Sequence, residues 1–159
     1  MSALFYQIEG VRKQLVIEKP VLAHFRKFVQ RRICQPESGG QLFGTFEEDT
    51  ITIRVATGPH KEDKRRRHSF TPDRKREQKD IDAQFDLGLQ FIGNWHTHPE
   101  QVPTPSSTDL SNTRERFLRS DHELLAFTMV IVGTAALPRG LGVILVNGSG
   151  HVTLAPSNG

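Results

Sequence analysis

Cysteine is nearly absent from this sequence: Cys34 is the only one. A disulfide within the chain is therefore excluded, and so is a cysteine-rich zinc site. Any metal must be held by histidines and carboxylates. Cys34 itself reads as a small buried hydrophobe rather than a nucleophile. Long apolar runs are missing too, and nothing approaches the roughly 20 residues of a membrane span. The first residues, Met1 to Gly10, lack the basic-then-apolar pattern of a secretory signal, which predicts a cytoplasmic protein with no membrane partner. There is no internal repeat and no long low-complexity tract.

What remains has the composition of an ordinary globular chain. Its 159 residues predict one domain over 1–159, large enough to bury a core without covalent staples. The net charge is only +3 but unevenly spread, with eight cationic side chains between Lys61 and Arg76. Such a stretch suits nucleic acid or an acidic protein surface, or is simply a solvated loop leading into a helix. Phe70 is the only aromatic nearby, too few for a stacking platform, so nucleic acid is the less favoured partner.

The hydrophobic pattern alternates between two periods. Leu4–Glu9 and Gln14–Glu18 read as strands around a turn at Gly10. A helix is predicted from Pro20 to Arg32, with Val21, Phe25, Phe28 and Val29 on one face. Strands follow at Gly40–Glu47 and Thr50–Ala56, the latter alternating strictly, then a basic loop from Gly58 to Pro72. A second helix runs to about Leu87, with Ile81 and Phe85 on one face. Leu89–His98 reads as a strand and Ser106–Leu118 as a third helix. Leu124–Val132, Leu141–Val146 and His151–Leu154 complete the set as strands, the last an edge strand. This order predicts an α/β fold with a mixed, curved sheet flanked by helices.

The chemistry concentrates at the end of one strand, in His96-Thr97-His98-Pro99. Residues i and i+2 of a strand share a face, so His96 and His98 aim side by side while Thr97 points away. Trp95 and Ile92 are expected to shield the site. A catalytic zinc usually has three protein ligands and one open position. Asp109 is the natural third, on a helix start where Ser106 and Asp109 share a face. Taken alone, the histidine pair could be two ordinary polar residues. Ser106 with Asp109 equally reads as a helix cap with an acidic first turn, which is compatible with ligation. His60, His68, His122 and His151 read as exposed side chains in loop-like contexts.

The combined pattern His96-x-His98-Pro99, the loop to Pro105, then Ser106-x-x-Asp109 resembles the JAMM motif of MPN-domain metallopeptidases. The segment Pro36-Glu37-Ser38-Gly39-Gly40-Gln41-Leu42-Phe43-Gly44 is similar to that family's glutamate segment. The resemblance implies an MPN fold, one zinc ion held by His96, His98 and Asp109, Glu37 as general acid–base, and Ser106 as oxyanion stabiliser. Without it, Glu37 would be one of many carboxylates, read as a surface residue at a turn. Such peptidases typically cut amide bonds after the C-terminus of a ubiquitin-like protein. The chain most resembles the stand-alone prokaryotic branch, which implies a conjugated protein substrate. That branch includes peptidases that release conjugated cGAS-like nucleotidyltransferases in anti-phage operons. Two other readings stay open: a non-catalytic MPN scaffold, and a RadC-like relative binding nucleic acid through residues 61–76.

Overall fold

A computed structural model describes residues 2–157. Its centre is an eight-stranded sheet. In chain order the strands are β1 (Leu4–Ile8), β2 (Lys13–Ile17), β3 (Gly39–Phe46), β4 (Thr50–Ala56), β7 (Gln90–Thr97), β8 (Phe127–Val132), β9 (Leu141–Val146) and β10 (His151–Leu154). In space they run β1-β2-β4-β3-β7-β8-β9-β10. The β2–β4 and β7–β8 pairs are parallel and the rest antiparallel, as a mixed sheet requires. The sheet curls until its two edges meet: Tyr6 bridges to Pro156, and the Ser157 amide donates to the Phe5 carbonyl at 2.8 Å. Curvature of this kind blunts two exposed edges at once.

Period-two alternation gives the sheet two working faces. One face packs on α1 (Lys19–Arg26), whose Val21, Leu22 and Phe25 join Leu15, Ile17, Leu42, Ile53, Trp95 and Val130 in the main core. The other face packs on α3 (Ser107–Arg119), where Met129, Ile131, Ile144 and Val146 meet Leu110. An aromatic run from Phe43 through Phe91 and Phe127 to Phe117 continues that second layer. Helix α2 (Arg74–Asp86) is capped by the Asp73 carboxylate, which accepts from the Arg76 amide. It is tied to α3 by the buried Glu77, whose two oxygens accept from Arg116 Nη2 at 3.0 and 3.1 Å.

Several expectations need correction. The first helix stops at Arg26, six residues early. Its last turn tightens through Phe28 N–H to the Phe25 carbonyl. The chain then straightens so that Val29 and Gln30 reach the interior. The basic loop contains a small hairpin, β5 (Lys64–Arg66) and β6 (Ser69–Thr71), whose Arg67-His68 turn lacks the usual glycine or asparagine signal. Phe85 does not face the sheet; it is 71 % exposed, because α2 is anchored through Glu77 instead. Leu125 is exposed and the eighth strand begins only at Phe127. Cys34 is exposed, not buried. No helix among the described residues is long and apolar enough to cross a membrane.

Candidate metal centre

His96 lies near the C-terminal end of β7 and His98 just beyond it. Alternation sends both imidazoles to the α3 face, while Thr97 turns into the opposite layer, where its hydroxyl donates to Gln30 Oε1 at 2.8 Å. Parallel pairing of β7 with β8 (His96 opposite Ile131) holds the strand end rigidly. The His98 amide extends that ladder by donating to the Val132 carbonyl at 3.0 Å. Trp95 borders the cleft at the site, whereas Ile92 does not line it. Both belong to the main core, with the Trp95 ring against Phe25 and Phe28.

Asp109 arrives from the first turn of α3 through a capping box. Ser106 Oγ accepts from the Asp109 amide, and Asp109 Oδ2 accepts from the Ser106 amide, both at 3.0 Å. Capping and convergence on the histidines therefore coexist in the same carboxylate. Asp109 Oδ2 lies 3.2 Å from His96 Nε2 and 3.2 Å from His98 Nε2, and the two Nε2 atoms are themselves 3.2 Å apart. Three donor atoms thus form an equilateral triangle. A tetrahedral zinc with bonds of about 2.0–2.1 Å has ligand–ligand edges of about 3.3–3.4 Å. The donor set fits such an ion, since three converging lone-pair atoms call for a cation at their centre. His98 Nδ1 lies 2.9 Å from Glu100 Oε1, which fixes the ring and leaves Nε2 to face the centre.

Glu37 reaches the same place from another direction. Gly39 pairs with His96 across β3 and β7, so Glu37, two residues upstream, falls on the histidine face. Its carboxylate lies with the His96 and His98 nitrogens in a group spanning no more than 4.8 Å. Asp109 is the carboxylate that lies 3.2 Å from both histidine nitrogens, and Glu37 shares their neighbourhood. Far from being a surface residue at a turn, Glu37 is 5 % exposed. Burial pushes its carboxyl up to about 7, against the pull of His96 and His98 and with a further push from Asp109. Burial would raise Asp109 as well, but its contacts with the two histidines hold it well below the usual carboxylate range.

The backbone around Glu37 is held by residues that sequence reasoning missed. Its amide donates to the Arg66 carbonyl at 2.6 Å, and its own carbonyl accepts from Arg65 Nε at 3.0 Å. Arg65 Nη2 also donates to Ser38 Oγ at 2.6 Å. The Ser38 amide donates to Thr97 Oγ1, and the Ser38 carbonyl accepts from the Thr97 amide. Buried Gln30 joins these parts, donating to the Gln35 and Arg67 carbonyls. The glycines that follow are dictated by close approach: a Cβ on Gly39 would lie 2.7 Å from the Trp95 carbonyl oxygen, and one on Gly40 would collide with the Thr57 carbonyl. Of the remaining histidines, His68 and His151 are exposed as expected. His60 pairs with Asp80 at 2.7 Å, and His122 donates from Nε2 to the Phe117 carbonyl and accepts at Nδ1 from the Leu124 amide, so neither is a free loop side chain.

The centre opens into a cleft of about 1030 Å³ between β6 and α3, lined by Glu37, His96, Ser106 and Asp109 at one end and by Phe70 and Thr71 along the side. That volume sits at the upper end of small-molecule pockets, roughly 300–1,000 Å³, and suits an extended chain.

Comparison with known proteins agrees with this geometry. Residues 18–141 match the family described as prokaryotic homologs of the JAB domain. A Pseudomonas aeruginosa protein named CD-NTase/cGAS isopeptidase is 35 % identical over 145 residues, covering 88 % of this chain and 87 % of the relative. A Vibrio cholerae protein of the same name is 29 % identical, covering 75 % of this chain and 76 % of that one. A probable metalloprotease of Sinorhizobium fredii is 32 % identical, covering 70 % of this chain and 63 % of its own length. A protein from Desulfitobacterium hafniense, solved in solution, shares the fold with a TM-score of 0.63 at 19 % identity, covering 86 % of this chain and 87 % of that one. The JAMM resemblance and the mixed, curved sheet are both borne out, and the chain belongs to the family of prokaryotic homologs of the JAB domain.

Proposed function

We propose that this protein is a zinc-dependent isopeptidase. Its substrate is a protein joined through its C-terminus, either a ubiquitin-like protein or a cGAS-like nucleotidyltransferase, and its role is to reverse that conjugation in anti-phage defence. The observation that carries the reading is the triangle of His96, His98 and Asp109 donor atoms with buried Glu37 beside it. The names of the Pseudomonas aeruginosa and Vibrio cholerae relatives supply the substrate class. A scaffold without activity has no need of a complete donor set aimed at one point.

In this reading His96, His98 and Asp109 hold the ion, and Glu100 keeps His98 in the ligating orientation. Bound zinc polarises a carbonyl and brings the pKa of water toward 7. Glu37 takes a proton from the attacking water and hands it to the leaving amine. Ser106 Oγ already accepts the Asp109 amide, so its own hydrogen is free to donate to the oxyanion that develops on the scissile carbonyl. The cleft receives the extended C-terminal tail.

The test is Glu37→Gln, which keeps size and hydrogen bonding but cannot shuttle a proton. A conjugate of a cGAS-like nucleotidyltransferase should be cleaved by the parent protein and remain intact with the variant, a loss of roughly 10²–10⁴-fold. Zinc content by elemental analysis should stay at one ion per chain. Full activity in the variant, or a parent protein without metal, sinks the assignment.

A further inference from the structure

The β5–β6 hairpin sorts its side chains by strand alternation. Arg65 and Phe70 are opposite one another in register, and both turn inward. Arg65 reaches the Glu37 carbonyl and Ser38 Oγ, and the Phe70 ring lies 2.8 Å from where a Cβ on Gly39 would sit. Lys64 and Arg66 therefore face the other way. They are exposed, and with Arg67 their side chains have no hydrogen-bond or ion-pair partner among the described residues.

The charge there is not incidental. Residues 61–76 hold eight cationic and three anionic side chains, a net of +5, whereas the whole chain carries +3, so the other 143 residues sum to −2. Two of the three acids are committed elsewhere. Asp63 accepts from the His60 and Asp73 amides, and Asp73 caps α2. The hairpin also forms one wall of the cleft, since Ser69, Phe70 and Thr71 line it together with Glu37 and His96.

We infer that the outer face of this hairpin, Lys64, Arg66 and Arg67 with Arg74 and Lys75 at the start of α2, docks an acidic segment of the conjugated protein. The inference rests on the peptidase reading, because it places the docked protein at the mouth of that site. Protein is favoured over nucleic acid because the stretch offers a single aromatic ring, Phe70, too few for a stacking platform. Lys64, Arg66 and Arg67 are unpaired cations at a solvated rim, while Arg74 lies 3.8 Å from the Glu77 carboxylate, so the interaction steers and orients and is sensitive to salt.

The probe is a fluorescent peptide of about ten residues rich in glutamate, titrated by anisotropy against the zinc-loaded full chain at about 50 and about 300 mM salt. A single-stranded DNA of about ten nucleotides serves as comparator. Lys64→Glu with Arg66→Glu is compared with a control of equal charge change, Arg12→Glu with Lys19→Glu. A gentler Lys64→Gln with Arg66→Gln pair covers the case where reversal disturbs folding. Saturable peptide binding should weaken on the order of tenfold with salt and with either hairpin pair, and hold in the control. Thermal midpoint and zinc content should not move. Binding lost equally in the control, or unaffected by the hairpin pairs, overturns the inference. DNA bound more tightly than the peptide through these same residues overturns it in favour of nucleic acid. Because no turnover is involved, a missing isopeptidase activity would leave a positive binding result standing, and an active enzyme that ignores the peptide would defeat the dock alone.

Discussion

The two halves of the centre are built in different ways. His96, His98 and Asp109 are placed by local rules: alternation along β7 and a capping box at the start of α3. Each rule operates within four residues. Glu37 is placed by tertiary contacts that span the chain, to Arg65 and Arg66 of the hairpin and through Ser38 to Thr97. Metal binding and proton transfer should therefore fail separately. A change in the local half should remove the ion, and a change in the long-range half should leave it in place while slowing the chemistry.

The largest effect belongs to the local half. Asp109→Asn keeps the shape of the cap but withdraws the charge that faces both histidines. Zinc retained after dialysis should fall from one ion per chain toward none, and affinity by more than about 100-fold, exceeding the roughly 10–100-fold typical of an orienting partner. Affinity within a few-fold of the parent would mean that Glu37 substitutes as third ligand, which would merge the two halves. Next comes Arg65→Ala, which removes both hydrogen bonds to the Glu37 segment. A displaced catalytic group costs on the order of 10²-fold, so kcat should drop about 10–100-fold while KM and zinc content hold. Arg65→Lys, with one nitrogen where two are used, should recover only part of kcat. Loss of zinc in Arg65→Ala would show that the hairpin supports the metal half as well.

The same contrast decides what was legible in the sequence. His96, His98, Ser106 and Asp109 stand at fixed spacings because short-range geometry demands them, and a spacing is visible in one sequence. Glu37 carries no such mark: it was found by family resemblance, and its burial is created by the hairpin and by β7 folding over it. Arg65 and Gln30 were missed for that reason, since nothing in a run of cations or in a lone glutamine shows which one turns inward. Glu100 was within reach, two residues after His98 and so on the same side if the extended chain continues. The eight strands of the large sheet were legible, Thr50–Ala56 by strict alternation and Leu124–Val132 and Leu141–Val146 by their apolar character. The three-residue strands β5 and β6 are too short to show a period, and α1 ended early because Val29 and Gln30 serve the core better outside a helix.

A smaller effect asks whether the metal half is as local as it looks. His24 on α1 sits beneath β7, edge-on to Trp95 at 5.5 Å, with Nε2 2.7 Å from the Gly58 carbonyl. A carbonyl only accepts, so Nε2 carries the hydrogen. Burial lowers the His24 pKa below its ordinary 6.5, opposed by the Gly58 carbonyl and assisted by Lys27. The unfolded chain then takes up this proton more readily than the folded one. Stability rises with pH wherever that holds, so His24's contribution is fully present above about 6.5 and is lost as pH falls through its lower folded value. Urea midpoints measured at about pH 7.5 and about pH 5.5 should therefore differ more in the parent than in His24→Gln, which has no proton to take up. His98 is shifted in the opposite sense, but it is present in both proteins and cancels from the comparison. Equal differences would mean that the helix beneath β7 does not sense protonation of His24. A zinc affinity that falls together with the midpoint in His24→Gln would show that β7 needs the helix beneath it to keep His96 and His98 aligned.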